Sequence, residues 1–249
     1  IKSHKKIALN EKESKQYDQL KDRLLRICKE AKELGVGIFI DAEETWIQDA
    51  IDELAMTMIT RYNKERAVVY NTLQMYRHDR LEHLKKTHTY CKAQGLIYAV
   101  KLVRGAYMEK ERNRAEEMGY LSPIQPDKNA TDRDFNLALK YCLDFHTEIA
   151  ICAGTHNEGS SMLLAEEMTR LTIPKNHPHL YFAQLFGMSD HISFNLSNAG
   201  FNVAKYVPYG PVREVMPYLM RRAEENTSVA GQTSRELRLI QSEIIRRRS

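Results

Sequence analysis

The chain has 249 residues, 43% of them hydrophobic and 28% charged, with a formal net charge of +4. This length allows one large domain or two small ones, and the modest, dispersed charge excludes the concentrated basic stripe of a nucleic-acid binder. No run of about 18 apolar residues occurs, which argues against a transmembrane helix, and the opening IKSHKKIALNEKESK is too polar for a signal peptide.

Strand-like and helical segments alternate along the chain. Residues 15–35 set Leu20, Leu24, Ile27, Ala31 and Leu34 on one helical face, with Gly35 as a natural stop. VGIFID (36–41) reads as a buried strand, followed by an amphipathic stretch carrying Ile47, Ile51, Leu54 and Met58. AVVYNTL (67–73) is the next strand, and the helix after it ends at Gly95. LIYAVKLV (96–103), EIAICAG (148–154), LYFAQLFG (180–187) and NVAKYVP (202–208) complete six strand candidates. Near the end, Val212, Val215, Met216, Leu219 and Ala223 follow the spacing that buries one helix face. A C-terminal helix is expected at about 231–248, inside a single partial barrel domain covering 1–249.

Five of the six strand candidates are nearly continuous apolar runs, the pattern of strands covered on both faces, and helices separate nearly all of them. A parallel α/β architecture follows. No G-x-G-x-x-G follows any strand, which removes the usual signature of a doubly wound dinucleotide fold. Polar residues gather instead at strand C-terminal ends: Asp41, Asn71 with Gln74, Arg104, Thr155 with His156, Gln184, and Tyr206. That distribution favours a (β/α)8 barrel, whose active site lies on that rim. Six strands at about 30 residues per unit leave the first two βα units of such a barrel missing from this chain.

Several motifs carry chemistry. Asp41 in FIDAEET reads either as a helix N-cap, with Glu44 completing a capping box, or as a charged group at the barrel mouth. Lys101 lies within an apolar strand and needs a partner, for which Asp41 is the candidate. Gly105 permits close backbone approach to a ligand, and Arg104 suits a phosphate. His156 reads as a hydrogen-bonded structural histidine or as a group that titrates near neutral pH. Tyr218, Arg221, Arg222 and Glu225 form one helical stripe. They make either a solvated edge with an Arg221–Glu225 pair or an anion clamp of two guanidiniums. Cys28, Cys91, Cys142 and Cys152 show neither C-x-x-C nor zinc-ligand spacing, so reduced, buried thiols in an intracellular protein and no metal site are expected.

FIDAEET, LQMY, KLVRGAY, GTHNE, QLFGM and KYVPYGP…PYLMRRAEEN occur in the order and at roughly the spacing of the proline dehydrogenase family, which the chain resembles from about residue 12 onward. The resemblance implies an FAD-containing (β/α)8 barrel that oxidises L-proline to Δ1-pyrroline-5-carboxylate and passes electrons to a quinone. It implies that Arg221 and Arg222 hold the substrate carboxylate, with Tyr218 and Glu225 lining or bracing the site. Tyr206 would pack on the proline ring, and Leu102 and Leu185 would supply apolar walls. Asp41 and Lys101 would be the charged pair near the flavin. FAD would be held by Gln74, Arg104, Gly105, Ala106, Thr155 and His156, with a backbone contact from Ala42. A cytoplasmic location is implied, with peripheral contact at the inner membrane, on the matrix side in a eukaryote.

Two departures stand out. The family's substrate-binding lysine belongs to the first barrel strand, which this chain does not contain. Many members have arginine at the position of Lys101, and lysine offers a point charge without a bidentate fork. Competing readings are an inactive or regulatory barrel fragment, and a phosphate-binding lyase or aldolase barrel.

Overall fold

Six short apolar runs form six parallel strands hydrogen-bonded in chain order, β1-β2-β3-β4-β5-β6. The computed structural model describes the backbone of residues 8–228 and 232–248, and their side chains except for residues 221–236 and 239. The elements run α1 (Glu11–Leu34), β1 (Ile38–Ile40), α2 (Thr45–Tyr62), β2 (Val69–Gln74), α3 (Arg80–Ala93), β3 (Tyr98–Val103), α4 (Met108–Met118) and α5 (Lys128–Asp144). They continue with β4 (Ile149–Gly154), α6 (Glu158–Arg170), β5 (Leu180–Leu185), α7 (Asp190–Asn198), β6 (Val203–Tyr206), α8 (Val212–Ser228) and α9 (Gln232–Arg248). The sheet is a curled half-barrel with β1 and β6 as its two edges. Among the described residues, no helix is long and apolar enough to cross a membrane.

Side chains alternate across each strand. Val69, Leu73, Tyr98, Val100, Leu102, Ile149, Ile151, Leu180 and Phe182 lie in the core between sheet and helices. Each such buried apolar side chain contributes roughly 1.5–3 kcal/mol. The opposite, concave face carries a small cluster of Tyr70, Ala99 and Ala150, and Phe39 meets Tyr70 with ring centroids 5.1 Å apart. Burial on both faces, as the apolar runs predict, holds along all of β2. In β5 burial alternates residue by residue, and β6 is only partly covered, because the concave face opens toward that edge.

Asn10 and Glu13 close a capping box at the start of α1, and Gly35 ends the helix in the left-handed region at φ 76°. The buried stripe of α1 is offset from the predicted one: Cys28 and Ala31 are buried with Leu24 and Leu25 packed beside them, while Leu20, Ile27 and Leu34 are exposed. The helix docks on α2 through that offset stripe, and the Tyr62 hydroxyl donates to the Leu25 carbonyl at 3.1 Å. The apolar face predicted for the segment after residue 211 is likewise open, with Val212, Met216 and Leu219 exposed, because α8 lies past the β6 edge of the sheet. All four cysteines are unpaired and buried.

Candidate active site

Parallel strands end on one rim, so the loops after them bring distant residues together. Asp41 follows β1 and Lys101 belongs to β3, with β2 between them. Ile40 is paired with Asn71 and Thr72 with Lys101, so Asp41 and Lys101 flank Thr72 at one level of the sheet. The Lys101 ammonium donates to the Asp41 carboxylate and lies 5.3 Å from the centre of the Phe39 ring. The lysine side chain is 16% exposed and the aspartate 57%, so the pair sits at the mouth of the concave face. Beside it, burial pushes the Cys152 thiol up to about 12 against the opposing pull of Lys101. A thiol held there stays protonated at neutral pH and is no nucleophile.

Asp41 does not cap the helix that follows. The N-cap of α2 is Glu44, whose side chain makes no capping bond. The wholly buried Glu111 of α4 takes that role, accepting from the Thr45 backbone N–H at 2.6 Å and the Thr45 hydroxyl at 2.7 Å. The loop bearing Asp41 and Ala42 is fastened at Glu43: its N–H donates to Gln48 at 2.9 Å, its carbonyl accepts from Gln74 Nε2 at 2.7 Å, and its carboxylate accepts from the Tyr107 hydroxyl. Gln74 also receives the Ala106 N–H at 3.4 Å, tying the ends of β1, β2 and β3 together.

Arg104, just past β3, donates to Asp132 at 2.6 Å, to the Thr155 hydroxyl at 2.6 Å and to Ser160 at 3.0 Å, and lies over the Phe135 ring. Burial alone would raise the Asp132 carboxyl, but hydrogen bonds from Lys128 and Arg104 outweigh it and hold the group below its ordinary value. Gly105 adopts φ 134°, and a Cβ there would fall 2.5 Å from the Tyr76 ring, so glycine is required. His156 Nδ1 lies 2.9 Å from the Ser189 hydroxyl. Gln184 faces the helix layer, donating to the Thr155 carbonyl at 3.2 Å and accepting from Ser193 at 2.9 Å.

At the far edge, Tyr206 ends β6, is 45% exposed, and meets the Tyr218 ring of α8 at 5.4 Å between centroids. Leu185 closes β5, half-buried on the concave side. Leu102 does not reach that side: it is wholly buried in the helix-facing core, because the residues on either side of it, Lys101 and Val103, take the concave positions. Arg221, Arg222 and Glu225 lie on α8, one and two turns beyond Tyr218, and their side chains fall outside the described residues. The supporting partners Glu43, Tyr107, Glu111, Asp132, Ser160 and Ser189 carry no local signal of their role. They become legible only when the fold brings them together.

Fold and rim together define a parallel α/β half-barrel whose polar groups converge at the C-terminal ends of its strands. The proline dehydrogenase family model matches residues 1–235. The chain is 39% identical over 246 residues to proline dehydrogenase 1, mitochondrial, of Drosophila melanogaster, a match covering 95% of this chain and 36% of that protein. It is 38% identical over 229 residues to hydroxyproline dehydrogenase of Xenopus laevis, covering 90% of this chain and 49% of the other. Among solved structures it is similar to proline utilization A from Bdellovibrio bacteriovorus inactivated by N-propargylglycine, with a TM-score of 0.79 and 28% identity over 87% of this chain and 22% of that one. The chain belongs to the proline dehydrogenase family. It spans between 36% and 49% of the length of these two relatives.

Proposed function

We propose that this chain forms the C-terminal three-quarters of an eight-stranded barrel that oxidises L-proline to Δ1-pyrroline-5-carboxylate and delivers the electrons to a quinone. The observation that carries the reading is the Asp41–Lys101 ion pair at the mouth of the concave face, beside a rim of polar groups that suits a flavin. Family membership supplies the reaction class.

The residues present fit FAD. One rim offers a guanidinium (Arg104), an amide (Gln74), a hydroxyl (Thr155) and an imidazole (His156), and Gly105, where a Cβ would meet the Tyr76 ring, lets the backbone before Ala106 pack closely on Tyr76. Arg104 commits three N–H groups to Asp132, Thr155 and Ser160, and a guanidinium has five, so a phosphate can be met without releasing them. When bound, the flavin supplies the hydride acceptor that no side chain can provide.

The chain's own residues then bind and orient the substrate. Proline is a small zwitterion with a compact apolar ring. Arg221 and Arg222 suit its carboxylate by charge-assisted, forked hydrogen bonds. Tyr206, backed by Tyr218, offers the ring a flat surface, and Leu185 adds an apolar wall. Lys101, neutralised by Asp41, keeps a fixed cation near the reacting centre without leaving an isolated charge in a half-buried site. Positioning of this kind can supply several kcal/mol of barrier reduction. Of the two substrates named among the relatives, proline is favoured over hydroxyproline because the exposed face of Tyr206 offers an added hydroxyl no acceptor in place of water. Steady-state oxidation of both compounds with a quinone analogue tests the assignment.

A further inference from the structure

Ser189 is one of two non-glycine residues with positive φ among the described residues, at φ 50° and ψ 42°; the other, Thr172, is exposed in a turn. Ser189 is only 1% exposed and occupies the N-cap position of α7. A serine at a helix start ordinarily turns its hydroxyl onto the helix's own N–H groups. Here the side chain makes no capping bond, and the hydroxyl reaches across to His156 Nδ1 at 2.9 Å. A left-handed backbone at a residue with a Cβ is unfavourable, so the surroundings must hold it in place.

Those surroundings form a closed circuit. The Ser189 carbonyl accepts from the Ser193 backbone N–H at 3.2 Å, and the Ser193 hydroxyl donates to Gln184 Oε1 at 2.9 Å. Gln184 Nε2 donates to the Thr155 carbonyl at 3.2 Å, and Thr155 is the chain neighbour of His156. On the other side of the loop, Lys205 of β6 donates to the Met188 carbonyl at 2.7 Å and pairs with Asp190. The ends of β4, β5 and β6 are therefore locked into one arrangement whose distinctive product is the contact between Ser189 and His156.

We infer that Ser189 is a positioning residue: its left-handed backbone, held by Ser193, Gln184 and Lys205, fixes the rotation of the His156 ring for cofactor binding at the rim. The inference rests on the flavin reading of the previous section. It accounts for a serine at a position where glycine would be more comfortable and for a helix cap that its own hydroxyl leaves unused.

The test compares Ser189→Gly, Ser189→Ala and Ser189→Thr in the full-length protein, with Ser189→Gly also combined with His156→Ala. Thermal unfolding is measured without flavin, and FAD affinity is measured by fluorescence quenching. Ser189→Gly should leave the unfolding temperature unchanged or higher, since glycine adopts this backbone freely, yet weaken FAD roughly three- to tenfold, the range of one lost hydrogen bond. Ser189→Ala should weaken FAD equally without the gain in stability, and Ser189→Thr, which keeps the hydroxyl, should bind FAD better than either. In the His156→Ala background the glycine change should weaken FAD no further. The same loss with and without His156, or parent-like affinity in both hydroxyl-free variants, would overturn the inference. So would a glycine variant that unfolds, because the hydroxyl would then be holding the loop and not the ring. A parent protein that binds no FAD would refute the flavin reading alone. In that case the 15N shifts of the His156 ring in flavin-free protein still decide the contact, which predicts a change in Ser189→Gly and is contradicted by identical spectra.

Discussion

Lys101 of β3 and Asp41 just past β1 are 60 residues apart in sequence, and their strands are not hydrogen-bonded to each other, yet they pair across the concave face over Thr72 of the intervening strand. The pair exists because three strands run in register and their loops share partners: Gln74 holds Glu43 beside Asp41, and Glu111 holds Thr45. Removing either charge leaves the other unpaired in a partly covered site.

Asp41→Ala should therefore lower turnover per bound flavin by about tenfold or more, since an uncompensated charge beside the reacting groups is costly. Flavin content should change less, because apart from the Ala42 backbone contact the groups proposed to hold it lie on other loops. Flavin absorbance and steady-state rates on the same preparation separate the two effects.

Glu111→Ala should destabilise the fold by roughly 1–3 kcal/mol, as it leaves the Thr45 N–H and hydroxyl without their buried acceptor. Glu111→Gln, which keeps one acceptor oxygen, should cost less. Urea denaturation of the two variants gives the order directly.

Arg221→Ala and Arg222→Ala should each raise the KM for proline strongly with the flavin spectrum unchanged. Each removes charge-assisted hydrogen bonds on the order of 1.5–3 kcal/mol. Proline amide, which lacks the carboxylate, should be a poor substrate for the parent and be hurt less by either change. Equal losses for proline and its amide would return these arginines to a solvated helix edge.

The pH dependence follows from Asp132. Its carboxyl is held below the ordinary value in the folded protein, so it contributes stability above the unfolded carboxylate value of about 3.9, and that contribution is lost as pH falls through the lowered folded value. Asp132→Asn should be less stable at neutral pH and lose less on acidification. Unfolding curves between neutral pH and pH about 3 read both slopes.

Tyr206→Ser should narrow the preference for proline over 4-hydroxyproline, mainly by lowering the efficiency with proline. A hydroxyl set against a ring face loses hydration worth roughly 1–3 kcal/mol, or about tenfold to over a hundredfold in kcat/KM. Equal efficiencies in the parent, or an unchanged ratio in the variant, would remove Tyr206 from the specificity argument.

Much of this was legible in the sequence because parallel strands announce themselves. Continuous apolar runs ending in a polar residue placed Asp41, Gln74, Arg104, Thr155 and Tyr206 on one rim, and a lysine among apolar neighbours pointed to Asp41. Local pattern fails where a long-range partner decides. The capping-box spacing of Asp41 and Glu44 was misleading, since α2 takes its cap from Glu111, 66 residues on. Leu102 looked like a site wall until strand alternation turned it into the core. Leu20 and Ile27 of α1 fit an amphipathic pattern but miss the buried stripe, which docking on α2 centres near Cys28. Ser189 gave no signal at all, because a serine's backbone conformation and cross-loop contact are set by tertiary structure.

The most direct test of the whole account is an anaerobic titration of the purified full-length protein with L-proline while its absorbance is followed. The proposal predicts a flavin spectrum that bleaches on addition of proline, recovers with a quinone analogue, and yields Δ1-pyrroline-5-carboxylate. A protein that carries no flavin after incubation with FAD, or whose bound flavin stays oxidised in excess proline, would contradict it.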